Sequence, residues 1–457
     1  MEEYIRILTD QIRCKKAKDL VGTEIRAHIE DQALNYREQG LEKEQALEAA
    51  VKDMGDPVEV GISMDRIHRP HIAWGMILFM AVIAMLSVMI HRSIGMANEE
   101  LGTDYVVSQI AGPVIGLLAM ILVCRLDYSV IAKYAKEIAL FFLAVFVYTS
   151  FFHVVEINGG YRYIRLAWII IPRTPFIYLY MPVYGALLYR YHGTGYKGII
   201  KSVLWMLIPV YACMSISRLW LAMLMTGGLL FLLVMAIGMD WFQIKHKKAV
   251  IALFLAGAVM FPVLALCFLY FTGNMATYQM ARIQSFISKD QSDFNYIGRV
   301  LAEYWGNSRI VGNSTSEFAD TLPLFYQDYI VTFLAANYGI LAAVQAALLM
   351  LALIIGIFYI SLKQKNQLGK IMGSGCGMVF LLLSFTNFME NIGMLPVTST
   401  HLPFFSSGGT YMVIYCILMG IVLSIYRYKS ILPGGFKNYN RKRKHKLKIS
   451  LSIEKQG

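Results

Sequence analysis

The sequence predicts an all-α, polytopic membrane protein with about ten transmembrane helices behind a small cytoplasmic helical N-terminal domain. Three features predict it. Of 457 residues, 57% are hydrophobic and only 16% charged, where soluble domains run nearer half apolar and a quarter charged. Ten apolar segments follow His71, most near the ~20 residues a helix needs to cross ~30 Å of hydrocarbon. The charge is also split: residues 1–70 carry 11 Lys/Arg against 15 Asp/Glu, a net of −4, and the rest carries 31 against 15. A polar body and a membrane body therefore join near Pro70.

Residues 1–70 read as short amphipathic helices, because Tyr4, Leu8 and Ile12, then Val21, Ile25, His28 and Ile29, recur at helical spacing. Gly40 can stop one helix. A third stretch places Ala46, Leu47, Ala50, Val51 and Met54 on one face, and Gly55-Asp56-Pro57 supplies a stop and a restart. The charges leave no apolar core for a signal peptide. Gly40-Leu41-Glu42-Lys43-Glu44-Gln45-Ala46, followed by Met54-Gly55-Asp56-Pro57, resembles the small helical prefix domain, called HAAS, found ahead of some bacterial permease-like proteins.

The apolar segments run roughly over 72–91, 105–124, 136–153, 168–189, 198–214, 219–238, 249–272, 329–359, 371–395 and 405–426. With the prefix in the cytoplasm, the short internal loops carry Arg125, Lys133 and Lys136; Arg190, Lys197 and Lys201; Lys245, Lys247 and Lys248; and Lys363, Lys365 and Lys370. That bias follows the positive-inside rule and places both termini in the cytoplasm, the basic tail 431–457 included. A count of nine, merging the segments around Arg218, is the rival and puts that tail outside. The basic total is explained by membrane orientation, so no nucleic-acid partner is expected.

One connection, about 273–327, is far longer than the others, and long loops usually carry function. It leads through Leu322-Pro323-Leu324-Phe325-Tyr326-Gln327 to Asp328, at the external membrane face. The sequence has no Gly-rich phosphate loop, no His-Glu-x-x-His and no Gly-x-Ser-x-Gly turn. Its six cysteines stand singly, without metal-ligand spacing, so neither a disulfide framework nor a zinc site is expected. Asp328 reads either as an acid capping the next helix or as a reactive carboxylate. Glu390, in an apolar helix and flanked by Asn387 and Asn391, reads as facing a cavity or partner, or as lying at the wet end of its helix.

Three blocks, in order, resemble the SEDS family of membrane proteins (shape, elongation, division and sporulation; the RodA, FtsW and SpoVE proteins). Asn158-Gly159-Gly160-Tyr161-Arg162-Tyr163-Ile164 is similar to its Asn-Gly-Ala-x-Arg-Trp-Ile box. Tyr278-Gln279-Met280-Ala281-Arg282, with Leu322-Pro323 and Gln327-Asp328-Tyr329-Ile330, resembles its Tyr-Gln-x-x-Arg and Leu-Pro-x-x-x-Thr-Asp-Phe-Ile. Leu395-Pro396-Val397-Thr398 and Leu402-Pro403-Phe404-Phe405-Ser406-Ser407-Gly408-Gly409 resemble its Leu-Pro-x-Thr and Leu-Pro-Phe-x-Ser-Tyr-Gly-Gly. The resemblance covers about 71–430.

The resemblance implies a peptidoglycan glycosyltransferase that polymerises lipid II, the undecaprenyl-pyrophosphate-linked disaccharide-pentapeptide, at the outer face of the bacterial cytoplasmic membrane, with a class B penicillin-binding protein as partner. On this reading Asp328 is the catalytic base and Arg162 and Arg282 neutralise pyrophosphate. Asn158, Tyr278, Gln279, Glu390, Ser406, Gly408 and Gly409 are further substrate-binding candidates. The glycine stretch also reads as helix packing, and the arginines as headgroup anchors. No cofactor is called for, although a divalent cation, magnesium or manganese, could share the charge; no ligand set for it is visible. The prefix is a folding module or a seat for a cytoplasmic regulator.

The chain departs from the family at four places. Pro-Ser-Glu is Pro172-Arg173-Thr174; the Pro-Asp-Leu-Gly box finds Ser217-Arg218-Leu219-Trp220; an expected acidic pair is Ala336-Asn337; and His401 replaces a proline. These losses favour one alternative, a non-catalytic relative that binds lipid-linked precursor or scaffolds wall synthesis, which Asp328 opposes. A further alternative, a flippase or transporter of a lipid-linked oligosaccharide, calls for transmembrane charges lining a path or repeated broken helices, of which the sequence shows few. Glu390 is one candidate to supply the missing acid.

Overall fold

The computed structural model describes residues 1–98, 101–152, 154–157, 160–166, 169–216, 218–272, 284, 296–313, 322 and 324–429. The chain divides into two compact units, Met1–Ile72 with Tyr426–Gly457, and Ala73–Ile425.

In the first unit, α1 (Glu2–Asp10), α2 (Lys15–Glu38), α3 (Lys43–Asp53) and α4 (Pro57–His68) enclose one small core. Leu8, Ile12, Val21, Ile25 and Ile29 are buried there, which the helical spacing anticipated, whereas His28 lies exposed. Gly40 and Gly55 adopt positive φ of 99° and 79° just past the ends of α2 and α3. Asp56 then caps α4 by accepting from the Glu59 amide at 2.9 Å, ahead of Pro57 at the first helical position.

Among the described residues, the regular structure of the second unit is helical except for one small sheet. Its helices are α5 (Trp74–Ala97), α6 (Gly102–Arg125), α7 (Ser129–Lys133), α8 (Ala135–Phe151), α9 (Thr174–Tyr178), α10 (Tyr180–Arg190), α11 (Tyr196–Ser215), α12 (Leu219–Gly238), α13 (Lys247–Phe271), α14 (Tyr296–Asn307), α15 (Ile330–Tyr338), α16 (Ile340–Leu362), α17 (Gln367–Asn391) and α18 (Gly409–Arg427). Among the described residues seven of them, α5, α6, α11, α12, α16, α17 and α18, are long and apolar enough to cross a membrane. The chain is thus an all-α, multi-pass membrane protein. The other three apolar segments map to α8, 17 residues long, to α9 with α10, and to α13, 25 residues long.

α17 is the central post, packed by α10, α12 and α16. Small residues let it come close: a Cβ on Gly185 of α10 would lie 3.2 Å from the Ile371 carbonyl, and one on Gly375 of α17 would lie 3.1 Å from that of Met181. Close backbone approach through small residues is how membrane helices gain packing energy where no hydrophobic effect drives them together. α5 and α6 are mostly exposed and carry apolar side chains outward, as lipid contact requires.

Two expectations need correction. Segment 168–189 is not one helix. Ile169–Pro172 forms β3 of an antiparallel sheet with β1 (Val154–Ile157) and β2 (Gly160–Leu166), in the order β1-β2-β3. Three consecutive β-branched isoleucines favour an extended chain, and Pro175 near the start of α9 marks where helix begins. Segment 329–359 is also broken, at Gly339, and the long loop before it contains α14.

The break is specific. Gly339 has φ 101°, and a Cβ there would meet the Ile310 carbonyl oxygen at 2.6 Å and Val311 Cα at 2.7 Å. The backbone groups freed by the break pair with segment 309–312: Ile340 N–H donates to Arg309 O at 2.9 Å, and Gly312 N–H donates to Tyr338 O at 3.1 Å. Irregular backbone at membrane depth survives when protein satisfies it in this way. Gly339→Ala should therefore lower the detergent melting temperature by several degrees, since φ strain alone costs ~1–3 kcal/mol. Gly257→Ala, with nothing within 4 Å, should leave it unchanged or slightly higher; equal melting of both variants would contradict the account.

Candidate functional site

Asp328 closes a tight turn in which its own N–H and that of Gln327 donate to the Leu324 carbonyl, and Leu324 adopts φ 56°. α15 starts two residues later with Tyr329 in the N-cap position and no side-chain cap bond. The Asp328 residue is 7% exposed. Its backbone carbonyl is gripped by two asparagines one turn apart on α17: Asn387 Nδ2 donates to it at 2.9 Å and Asn391 Nδ2 at 3.0 Å. Asn391 Oδ1 in turn accepts from the Thr332 N–H at 3.0 Å and the Thr332 hydroxyl at 2.9 Å. Asn387 also donates to Thr400 O at 2.6 Å, tying in the loop that precedes α18. Deep burial makes each of these bonds count, since an amide left unpaired here would cost ~1–3 kcal/mol.

A second set of bonds staples the Asp328 turn to that loop. Ser406 Oγ donates to Gln327 O at 2.5 Å and accepts from Leu402 N–H at 2.8 Å, and Ser407 N–H donates to Tyr326 O at 2.9 Å. Gly408, at φ 139°, donates to Gln109 Oε1 at 3.3 Å. Gly409 faces Gly112 of α6, where a Cβ on Gly112 would stand 2.9 Å from the Gly409 Cα. Ser406 thus positions the Asp328 turn, and Gly409 allows two helices to touch.

Glu390 is buried, and its carboxylate accepts from the N–H groups of Thr398 at 2.8 Å and Ser399 at 3.2 Å and from the Thr398 hydroxyl. Arg218, half-buried between α11 and α12, donates through Nη1 to the Ser399 carbonyl at 3.0 Å. His401 lies with Nε2 3.9 Å from Asp328 Oδ1 and its ring stacked on Tyr411. Burial first, and the Arg218 charge second, push the His401 imidazole down to about 3, so it faces the carboxylate as a neutral ring. Burial opposes the Arg218 charge, but Tyr411, Tyr178 and Asp328 around it more than compensate and hold its pKa above the ordinary value.

A cavity of about 280 Å³ lies between α5 and the broken helix pair, lined by Leu86, Met89, Leu334, Phe405, Tyr338 and Gln345 among others. Leu334 is six residues beyond Asp328 and Phe405 adjoins Ser406, so two of the lining residues belong to the segments that carry the site.

Of the candidates, Asp328, Glu390, Ser406 and Gly408 gather around this turn, with Gly409 beside them. Arg162 falls on β2, where only the backbone is described; Asn158, Tyr278, Gln279 and Arg282 lie outside the described residues. Among the described residues no three of His, Cys, Asp and Glu assemble to hold a metal ion. Arg218 is the neighbour that sequence reasoning missed. Its one visible signal was a cation standing where the family's acidic box was expected.

Comparison with known proteins gives a consistent picture. The FtsW/RodA/SpoVE family, described as "Cell cycle protein", matches residues 69–431. A probable peptidoglycan glycosyltransferase FtsW of Hydrogenovibrio crunogenus is 24% identical over 363 residues, covering 74% of this chain and 87% of the relative. The peptidoglycan glycosyltransferase MrdB of Helicobacter pylori is 26% identical over 214 residues, 45% of this chain and 52% of the relative. Among solved structures, one from work on the coordination of polymerization and crosslinking by a peptidoglycan synthase complex superposes with a TM-score of 0.64 at 18% identity, covering 78% of this chain and 98% of the other. The rod shape determining protein RodA of Thermus thermophilus gives 0.51 at 18% identity with the same coverage. These two likenesses speak to the fold. The match over most of the chain establishes that this chain belongs to the FtsW/RodA/SpoVE family.

Proposed function

We propose that the protein is a peptidoglycan glycosyltransferase that polymerises lipid II. The observation that carries this is Asp328: a buried carboxylate held in a tight turn by Asn387, Asn391 and Ser406, at the head of a membrane-depth helix whose residues Leu334 and Tyr338 line an apolar cavity. Glycosyl transfer needs a base at the acceptor hydroxyl. Asp328 takes that proton as the hydroxyl oxygen bonds to the anomeric carbon of the donor sugar, and the donor's carbon–oxygen bond to undecaprenyl pyrophosphate breaks, the electron pair leaving with the pyrophosphate. The neutral His401 ring adds no competing positive charge at working pH. The cavity suits part of a polyisoprenyl chain, with Tyr338 and Gln345 its polar members.

Arg162 and Arg282 are the proposed pyrophosphate contacts, and Asn158, Tyr278, Gln279 and Glu390 further members of the substrate site. A divalent cation, magnesium or manganese, is a further proposed sharer of the pyrophosphate charge. On this reading the chain has ten spans with both termini in the cytoplasm, and Asp328 faces the outer side of the bacterial cytoplasmic membrane. A class B penicillin-binding protein is the partner that fits a polymerase acting beside crosslinking, and the helical prefix is available to a cytoplasmic regulator.

The test is polymerisation of purified lipid II by the detergent-purified chain, with and without the penicillin-binding partner. Asp328→Ala should lower glycan synthesis by about 10²–10⁴-fold at equal folding. Lipid II bound but unpolymerised by wild type and variant alike would instead identify a precursor-binding relative, the reading that Ala336, Asn337 and Thr174 at expected acidic positions favour.

The His401 environment adds a pH prediction. A histidine held below its ordinary value binds fewer protons folded than unfolded. Its stabilising contribution is full above the ordinary value of 6.5 and is lost as pH falls toward 3. The melting temperature should drop through that window, and His401→Gln should flatten the drop; identical pH slopes in both proteins would refute it.

A further inference from the structure

Two positions at which this chain departs from its family's pattern come from distant parts of the sequence and meet beside Asp328. Arg218 lies between α11 and α12, and His401 between α17 and α18. Ser399 connects them. Its N–H donates to the Glu390 carboxylate at 3.2 Å, and its carbonyl accepts from Arg218 Nη1 at 3.0 Å. Ser399 sits at φ 52°, a left-handed conformation that a non-glycine residue keeps only where its surroundings over-determine it. Here an acid and a guanidinium hold its two ends.

Two residues on, the His401 ring packs flat on Tyr411, with centroids 4.0 Å apart and planes 13° from parallel, and presents Nε2 to Asp328 Oδ1 at 3.9 Å. His401 Nδ1 is buried without a hydrogen-bond partner. Stacking, the held loop and a backbone hydrogen bond with Ser407 therefore orient the ring.

We propose that Arg218 is a positioning residue for the Asp328 base: through Ser399 it seats His401 against the carboxylate, and its fixed charge keeps that carboxylate ionised and able to accept a proton. Among the described residues, charged and titratable groups that face Asp328 include His401 on the loop before α18, Arg218 before α12, Glu390 on α17 and Tyr411 on α18. His401 is neutral, Tyr411 is a phenol, and Glu390 is a second acid that opposes charge on the first. Arg218 is the permanent cation among these described groups, its charge interacts with that of Asp328, and opposite charges favour each other's ionised forms. Loss of an acid and gain of a cation at 218 thus belong with gain of a ring at 401: one side chain holds the other's loop.

This proposal deepens the polymerase reading and rests on it for its turnover measurement. The experiment compares full-length wild type, Arg218→Met, Arg218→Gln and Arg218→Lys, each shown to be monodisperse in detergent. Lipid II polymerisation is followed across pH, and in parallel the carboxyl infrared band that Asp328→Asn removes is titrated. The neutral variants should move the acid limb of the rate profile and the infrared midpoint upward by about one pH unit. Arg218→Lys should restore most of the shift, because it returns the charge. A purely structural role would lower the rate equally at every pH and leave the infrared midpoint unmoved, and that result in both neutral variants overturns the proposal. The infrared titration needs no turnover, so a wild type that makes no glycan defeats the polymerase reading while the band still decides the role of Arg218.

Discussion

Everything at the candidate site depends on one constraint: a polar group out of reach of water must find its partners within the protein. The carbonyl of Asp328 finds two, Asn387 and Asn391, and those amides are themselves satisfied by Thr332, Thr400 and the backbone of α17. The bonds run in both directions. Asn391 fixes the start of α15, Asn387 fixes the loop ahead of α18, and Trp305 of α14 donates to the Asn391 carbonyl at 2.8 Å. Three chain segments far apart in sequence are therefore registered on one helical turn, and the Asp328 carboxylate inherits its position from that register rather than from its own bonds alone.

The same constraint explains the irregular parts of the membrane unit. The chain breaks at Gly339 where segment 309–312 is present to take up the freed amides and carbonyls. Ser399 tolerates a left-handed backbone because Glu390 and Arg218 take its two polar ends. Ser406 bridges Gln327 and Leu402 in the same manner. Each irregularity lies near the Asp328 turn or the cavity, while the lipid-facing helices α5 and α6 are regular and apolar. Strain and polarity are concentrated where chemistry needs shaped, non-helical backbone.

Much of this was legible in the sequence, and for identifiable reasons. Apolar segments of membrane-spanning length depend on composition alone, so the helical class and most of its helices followed. Asp328 and the Ser406 to Gly409 stretch stood out because their motifs are local. The sheet at 154–172 was hidden because three isoleucines satisfy a helical and an extended reading equally. The break at Gly339 was hidden because its cause is the carbonyl of Ile310, which no local pattern reveals. Arg218 was visible only as an oddity. Its meaning depends on Ser399, 181 residues away, and long-range side-chain contacts of this kind are not encoded in periodicity. Glu390 was correctly noticed as an unusual acid, but its partners lie on the following loop rather than on its own helix.

The central helix has a consequence for how the protein is made. α17 bears Asn387, Glu390 and Asn391 in its last turns and is buried on most sides by α10, α12 and α16. Presented alone to lipid, such a segment partitions poorly, because its amides and carboxylate would have no partners. It is also next to last along the chain, after the helices that surround it. Biosynthesis thus delivers the least lipid-compatible end of the bundle into a cleft already walled by earlier segments, and the polar network forms only when the Asp328 turn is in place to receive it. The candidate site is completed by nearly the final act of membrane integration, so a truncated or stalled chain would carry Asp328 without the frame that aims it.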